Sequence, residues 1–556
     1  MKKIYLMMLI FLFLLTKIAY SAGQIIINSE DWRDVYSGML YGSLTKTTAN
    51  FLVSARHSRL ILNSIPKGTP LEVISSKSRP FIVGYESVLR NEGYPATENI
   101  YDNANLELAK KLNVTNFIIV DDSYGYNAIS VAPYAIVSNS YVLFADRNNI
   151  REIDSFLSGR TVNKILIYGN IDRQVKNTLA KYNPEIINKE GDRFANNIEI
   201  VKKYQEIKHS KQAVLTNGEF IEKEIMSGLE PVIFIGSNNV PDIAKEYIQS
   251  SEIEIGILIG NELVGTATYI RRNVGISVFV KFAQGARAPR GAISQVEALD
   301  MFYLPVYSLN IELDSIKYNR ATNKLEVSIR NTEEQAVYLK GTYTIKGPGG
   351  LEQKVGDIEP VFLDGKELRT FVYDVEPIPE GNITAHAYII YGESKGSMEK
   401  VIDKTVIVET VEILDRCKIK LTGLKYDKRK GIFYIDIENI GDVDCYVDVE
   451  IVDILIDKIP QSFGADDIAY IKAGKSKKQK VRVKLEEEDI EDNGIVKVRA
   501  YYGERKDSLV KIIEAEFELI LVGIDYLFYS LLIIIIILII LILWKRKKKK
   551  EKHKHI

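Results

Sequence analysis

Two hydrophobic periods divide the chain. From residue 24 to about residue 300, short apolar runs such as NFIIVDD, YVLFAD, KILIYGN, AVLTNGE, PVIFIG and IGILIGN alternate with amphipathic stretches such as NANLELAKKL and NNIEIVKKYQEI. Buried strands interleaved with helices predict α/β units around parallel sheets. Beyond about residue 305 the period becomes two. KLEVSIRN and IFYIDIEN alternate apolar and polar positions, and GPGG at Gly347 to Gly350 is turn chemistry. That half predicts β-sandwiches of about a hundred residues each.

Both halves repeat internally. Lys317-Tyr318 precedes Lys425-Tyr426 by 108 positions, as Asn331 precedes Asn439, and the copies end alike in AYIIYGE (Ala387 to Glu393) and RAYYGE (Arg499 to Glu504). A repeat of this length is a duplicated domain. In the first half, Ile118 to Asp121 matches Val214 to Asn217, Val142 matches Val232, and Ile167 matches Leu258, at offsets of 96, 90 and 91. An earlier, degenerate unit is expected before these, with PFIVGYESVLRNEGY from Pro80 in the place of KILIYGN and the residues after it.

The two ends predict export and anchoring. Lys2 and Lys3, the apolar run Ile4 to Leu15, and small residues at Ala19, Ser21 and Ala22 make a secretory signal over residues 1–22, with an uncleaved N-terminal anchor as the alternative. Nineteen uncharged residues, Tyr526 to Trp544, are long enough for one transmembrane helix, placed at 524–544. Tyr526, Tyr529 and Trp544 fall where aromatic rings favour the interface. The basic tail, residues 545–556, carries eight cations against Glu551, which predicts a cytoplasmic C-terminus near anionic headgroups. The expected topology is single-pass type I, in the cell membrane, with the bulk outside.

Charge then changes the picture. The formal net charge is −1, but setting aside the tail and Lys2, Lys3 and Lys17 leaves the exported part near −11. A mildly acidic ectodomain argues against nucleic-acid partners. Two cysteines do not make a disulfide scaffold. Cys417 and Cys445 correspond to Leu309 and Val337 of the other copy, so they are either a disulfide in an oxidising exterior or two small buried thiols. Abundant Ile, Lys, Glu and Tyr with little Gln and His is similar to the usage of heat-adapted organisms.

Candidate chemistry is sparse. Asp121 and Asp122 follow a strand, where α/β folds place ligands, but they are adjacent and the next unit has Asn217 and Gly218 there. A loop or helix-capping role is the default. GNELVGT from Gly260 has the glycines of a phosphate loop without its lysine. No H-E-x-x-H, G-x-S-x-G or paired C-x-x-C occurs. No catalytic residue, metal ligand or cofactor is expected. Arg193 either contacts an anion or pairs with a neighbouring carboxylate. Asn113 and Asn382 head sequons and are candidate glycosylation sites on an exported segment.

YNAISVAPYA (Tyr126 to Ala135), YVLFAD, KILIYGN and EGDRFANNIEIVKKY (Glu190 to Tyr204) together resemble the cell-wall-binding repeat type 2 family. The resemblance implies three Toprim-like α/β units around a pseudo-threefold axis and non-covalent attachment to anionic envelope polymer. With the two acids after the strand, the candidate binding residues are Asp121, Asp122, Asn127, Asp192 and Arg193. This sequence departs from the family pattern at Asn127, in place of Asp, at Asn188, in place of Arg, and at Ala195 to Asn197, which lack the Thr. ENIGDVDCYVDVEI resembles the small immunoglobulin-like, cell-adhesion-related domains of archaeal and bacterial surface proteins.

The expected protein is multidomain. A three-unit α/β head (23–304) is followed by two all-β immunoglobulin-like sandwiches (305–412 and 413–521) as a stalk, one transmembrane helix and the basic tail. The expected function is display, without catalysis, with the head contacting cell-envelope polymer or a surface-layer protein. The alternative is a receptor or envelope enzyme with its site at the joins between α/β units, because pockets favour such interfaces.

Overall fold

A computed structural model describes residues 23–260, 263–281, 301–522 and 534–542. The signal at 1–22 and the tail at 545–556 lie outside the described residues, as does most of the 524–544 span. Of that span, residues 534–542 are helical with exposed isoleucine and leucine side chains. Among the described residues, no helix is long and apolar enough to cross a membrane.

The N-terminal half is α/β and contains three four-stranded parallel sheets of one topology. The first holds β1 (Gln24–Asn28), β2 (Ala49–Phe51), β3 (Leu71–Ser76) and β4 (Ala96–Tyr101). The second holds β5 (Asn116–Val120), β6 (Ser140–Phe144), β7 (Lys164–Tyr168) and β8 (Glu185–Ile187). In the third, β9 (Gln212–Thr216) leads to the short β10 (Phe220–Ile221), then β11 (Val232–Phe234), β12 (Ile255–Ile259) and β13 (Ser277–Lys281). Each sheet places its second strand outside its first, then its third and fourth: β2-β1-β3-β4, β6-β5-β7-β8 and β11-β9-β12-β13.

One expectation within the first unit is corrected. The strand equivalent to β7 is β3, not the stretch from Pro80. Residues 80–84 are irregular and Val83 is exposed, whereas Leu71–Ser76 pairs with β1 and β4 along its length. Glu72, Ser75 and Ser76 disguise this strand as polar. The Ser75 hydroxyl is satisfied internally, accepting from Asn28 Nδ2 at 2.9 Å and donating to Glu98 Oε1 at 2.5 Å. A buried polar group held this way costs little.

The first two units cross from their first strand to their second through a central helix, Trp32–Thr45 in one and Tyr126–Val137 in the other. Ala128, Ser130, Ala132 and Ala135 bury the small face of the latter. The third unit has no such helix. β10 pairs antiparallel with β14 (Phe302–Tyr303), and a 3₁₀ turn at Ile225–Ser227 fills the space. One apolar core runs through all three units, including Ile27, Phe144, Val214 and Met226.

Successive units are fastened by the same buried clamp. Asn105 Nδ2 donates to Ser37 Oγ and to the Val142 carbonyl, both at 2.9 Å, while Phe144 N donates to Asn105 Oδ1 at 3.2 Å. Asn197 repeats this one unit later, donating to Ser130 Oγ and the Val232 carbonyl and accepting from Phe234 N. A buried amide that uses both donors and its acceptor fixes one register between neighbouring sheets.

The β-rich half contains two sandwiches of matching topology, each a four-stranded sheet packed on a five-stranded one. Both copies carry a bulge at the same place, Leu313/Ser315 and Leu421/Gly423. Asn331 and Asn439 each donate to two carbonyls across a turn, Gln335 and Asp364 in one copy, Val443 and Ile471 in the other. The sandwiches do not form a linear stalk. Arg173 and Lys176 of the head pair with Asp489 and Asp457 of the second sandwich, so the head touches both copies and the three bodies close into a triangle.

Candidate functional site

The strand ends of the second α/β unit face the first sandwich. A hollow of about 410 Å³ opens there, lined by Asp121, Asn127, Asp172 and Arg193 from the head and by Tyr307 and Glu393 from beyond it. Three of the five residues proposed from sequence, Asp121, Asn127 and Arg193, meet in this hollow.

The polar residues around it are engaged. Asp121 Oδ1 accepts from Ser123 N at 2.8 Å, which closes the loop after β5. Asp122 turns away and accepts from Arg33 Nη1 at 2.7 Å, across the first and second units. Asp192 caps the helix Arg193–Ile207, accepting from Phe194 N at 2.8 Å and Ala195 N at 3.0 Å. Its other oxygen accepts from the Ser394 and Ser397 hydroxyls of the first sandwich, each at 2.6 Å. Asn127 sits against Gly169, which has φ +77° and whose missing Cβ would meet the Asn127 amide at 2.6 Å. Only glycine serves there.

Arg193 is the centre of the joint. It is buried, and its Nη2 lies 2.5 Å from Glu399 Oε2 and its Nε 3.5 Å from Glu393 Oε1. Its guanidinium stacks 4.1 Å from the centroid of the Tyr126 ring. Nη1 has no hydrogen-bond partner. Of the two expectations for this residue, the carboxylate pair is the one formed. Burial pushes the Glu393 carboxyl up to about 7; Arg193 opposes that shift, and the nearby Glu399 and Asp192 add to it. Gly236 allows the close approach, since a Cβ there would stand 2.3 Å from the Glu399 carbonyl oxygen.

A second hollow, of about 800 Å³, adjoins the first and shares Tyr124, Tyr307 and Glu393 with it. It lies where the head and both sandwiches meet, with Asp192 of the head, Tyr338 of the first copy and Phe463 of the second in its wall. Sequence reasoning placed no functional residue from the sandwiches here. Glu393 ends the repeated YGE motif, which was the available signal; the pairing of Glu399 with a residue 206 positions away left none.

Cys417 and Cys445 are joined by a disulfide in the core of the second sandwich. Asn113 and Asn382 are both exposed. Among the described residues, no group of three or more His, Cys, Asp or Glu side chains could hold a metal ion.

No family model matches the chain, and no curated protein matches it. Among solved structures it is similar to Cwp8 from Clostridium difficile, at 16% identity and a TM-score of 0.37, over 46% of this chain and 48% of that one. The match thus spans about half the length of Cwp8. A protein of unknown function from Porphyromonas gingivalis W83 is similar at 14% identity and a TM-score of 0.16, over 38% of this chain and 99% of that one. Red sea bream transglutaminase is similar at 11% identity and a TM-score of 0.14, over 39% and 32%.

Proposed function

We propose that this is a membrane-anchored cell-surface protein whose head and two sandwiches act as one closed binding body, without catalysis, toward cell-envelope polymer or a surface-layer protein. The observation that carries the reading is how the head spends its polar residues. Asp121, Asp122, Asp192 and Arg193 cap, brace and dock domains, and two large hollows open at the joints they hold. The disulfide supports an oxidising exterior, and the predicted signal, span and basic tail supply export and anchoring. The exposed sequons at Asn113 and Asn382 fit such a surface.

The test is retention of the full chain, in detergent micelles, on envelopes isolated from its own organism at low and high salt. Retention that salt weakens is expected; no retention at either salt overturns the reading. A second reading, an envelope enzyme, is favoured by one observation: the Glu393 carboxyl, raised to about 7, lines the smaller hollow. Turnover of envelope material that Glu393→Gln abolishes, with retention unchanged, would establish it.

A further inference from the structure

The larger hollow is acidic and has an open strand in its wall. Glu190, Glu334 and Asp453 line it against Lys189 and Lys395, and Asp192, Asp364 and Glu393, held by docking contacts, add to the acidic wall. Glu334 is exposed, and its carboxylate lies 3.7 Å from Lys366 Nζ. Such a lining repels an anionic polymer and concentrates a cationic ligand.

The strand Ile459–Gly464 of the second sandwich lines the same hollow with Ile459 to Phe463. It pairs with Cys445–Ile456 on one side and, among the described strands, has no strand neighbour on the other, where the Gly464 N–H donates to Asp364 Oδ2 at 2.8 Å and Ile459 to Phe463 remain to be paired. An open edge presents main-chain donors and acceptors to any extended chain laid beside it. Pro460, which has no N–H, is tolerated at such an edge. Tyr338 and Phe362, cross-strand neighbours in its wall, stand edge to face with centroids 5.5 Å apart, and Lys395 already lies 5.8 Å from the Tyr338 ring centroid. Further cations would find aromatic faces there.

We infer that the hollow binds an extended, lysine- or arginine-bearing peptide segment of a partner protein, added as a strand along Ile459–Gly464. The open edge favours a peptide over a cationic glycan, because a sugar chain cannot continue the ladder. This rests on the reading of the ectodomain as a binding body, and it selects a protein partner over an anionic polymer.

The test uses the full chain in detergent micelles and a fluorescein-labelled (Lys-Thr)4 peptide, followed by anisotropy. Binding is expected, with none for (Glu-Thr)4, and with a loss of about tenfold or more between about 0.05 and 0.5 M salt. The double variant Glu334→Lys/Asp453→Asn should weaken it at least about tenfold; Asn is chosen because residue 453 has φ +51°. Of two peptides N-methylated on alternate residues, one on the lysines and one on the threonines, at least one should fail to bind. Equal binding by both, or by a chitosan hexamer, overturns strand addition, and absence of peptide binding overturns the site. If the double variant loses the peptide but stays on envelopes, the hollow is not the envelope contact and this inference falls, while the surface-binding reading stands.

Discussion

The two sandwiches use the same hairpin to dock on whatever precedes them, with the charges exchanged. Glu393 to Glu399 of the first copy aligns with Glu504 to Val510 of the second. In both, a serine donates to a carboxylate of the preceding domain: Ser397 to Asp192 of the head, Ser508 to Glu326 of the first sandwich. Beside it the logic inverts. Glu399 receives Arg193 from the head, whereas Arg505 reaches out to Glu326 at 3.0 Å. A duplicated fold thus acquires two docking addresses through a few side chains. The joints differ in how completely they satisfy what they bury. Both oxygens of Glu326 are held, by Asn319, Arg505 and Ser508. Arg505 leaves its buried Nε without a hydrogen bond, whereas Arg193 leaves both Nε and Nη1 and carries two acids that repel each other.

That contrast predicts an order of effects. Arg193→Met should cost most, about 4 kcal/mol, because it strands Glu393 and Glu399 in a buried joint. Urea unfolding and protease sensitivity between head and first sandwich measure it, and a loss no greater than that of Arg505→Met would remove the distinction. Cys417→Leu with Cys445→Val rebuilds the first copy's Leu309 and Val337 in the second; it should cost about 3.5 kcal/mol, the value for a loop closed over 28 positions. Reductant should then lower the melting temperature of the parent protein but not of the variant. Arg505→Met should cost about 2 kcal/mol, since Glu326 keeps Asn319 and Ser508.

Acidity separates the joints by a smaller amount. The Glu393 carboxyl titrates near 7 when folded, above the ordinary 4.5, so between those values the folded protein holds the extra proton. Its contribution is therefore fullest below about 4.5 and declines as pH rises to about 7, at up to about 1.4 kcal/mol per pH unit. Glu393→Gln should flatten the slope, as seen in melting temperatures across that window. Ser397→Ala and Ser508→Ala should each cost about 1 kcal/mol, and clearly unequal losses would show that the hairpins do not share one docking bond.

Much of the architecture was legible because its residues serve local periods. Apolar runs between amphipathic stretches announced the α/β half, and Lys317-Tyr318 against Lys425-Tyr426 announced the duplication. Legibility failed where polarity was satisfied at a distance. The strand Leu71–Ser76 read as polar because Ser75 finds Asn28 and Glu98 only in the assembled sheet. At the site, the loop role of Asp121 was expected from its place after a strand, but the cap that Asp192 makes was not, and Glu399, Tyr307 and the open strand Ile459–Gly464 gave no local sign of lining one space.

By itself, the sequence determined the secondary-structure classes, the two repeats, the unequal charge along the chain and the segments expected to export and anchor it. These come from side-chain order over short windows, where burial of one face dictates the period. Tertiary structure alone decided that the second sandwich returns to the head, that the two cysteines join, and that Arg193 neutralises acids from another domain. Those outcomes depend on pairing charges hundreds of positions apart as they leave water. Burial makes each such pair costly to leave incomplete, and no local pattern records its partner.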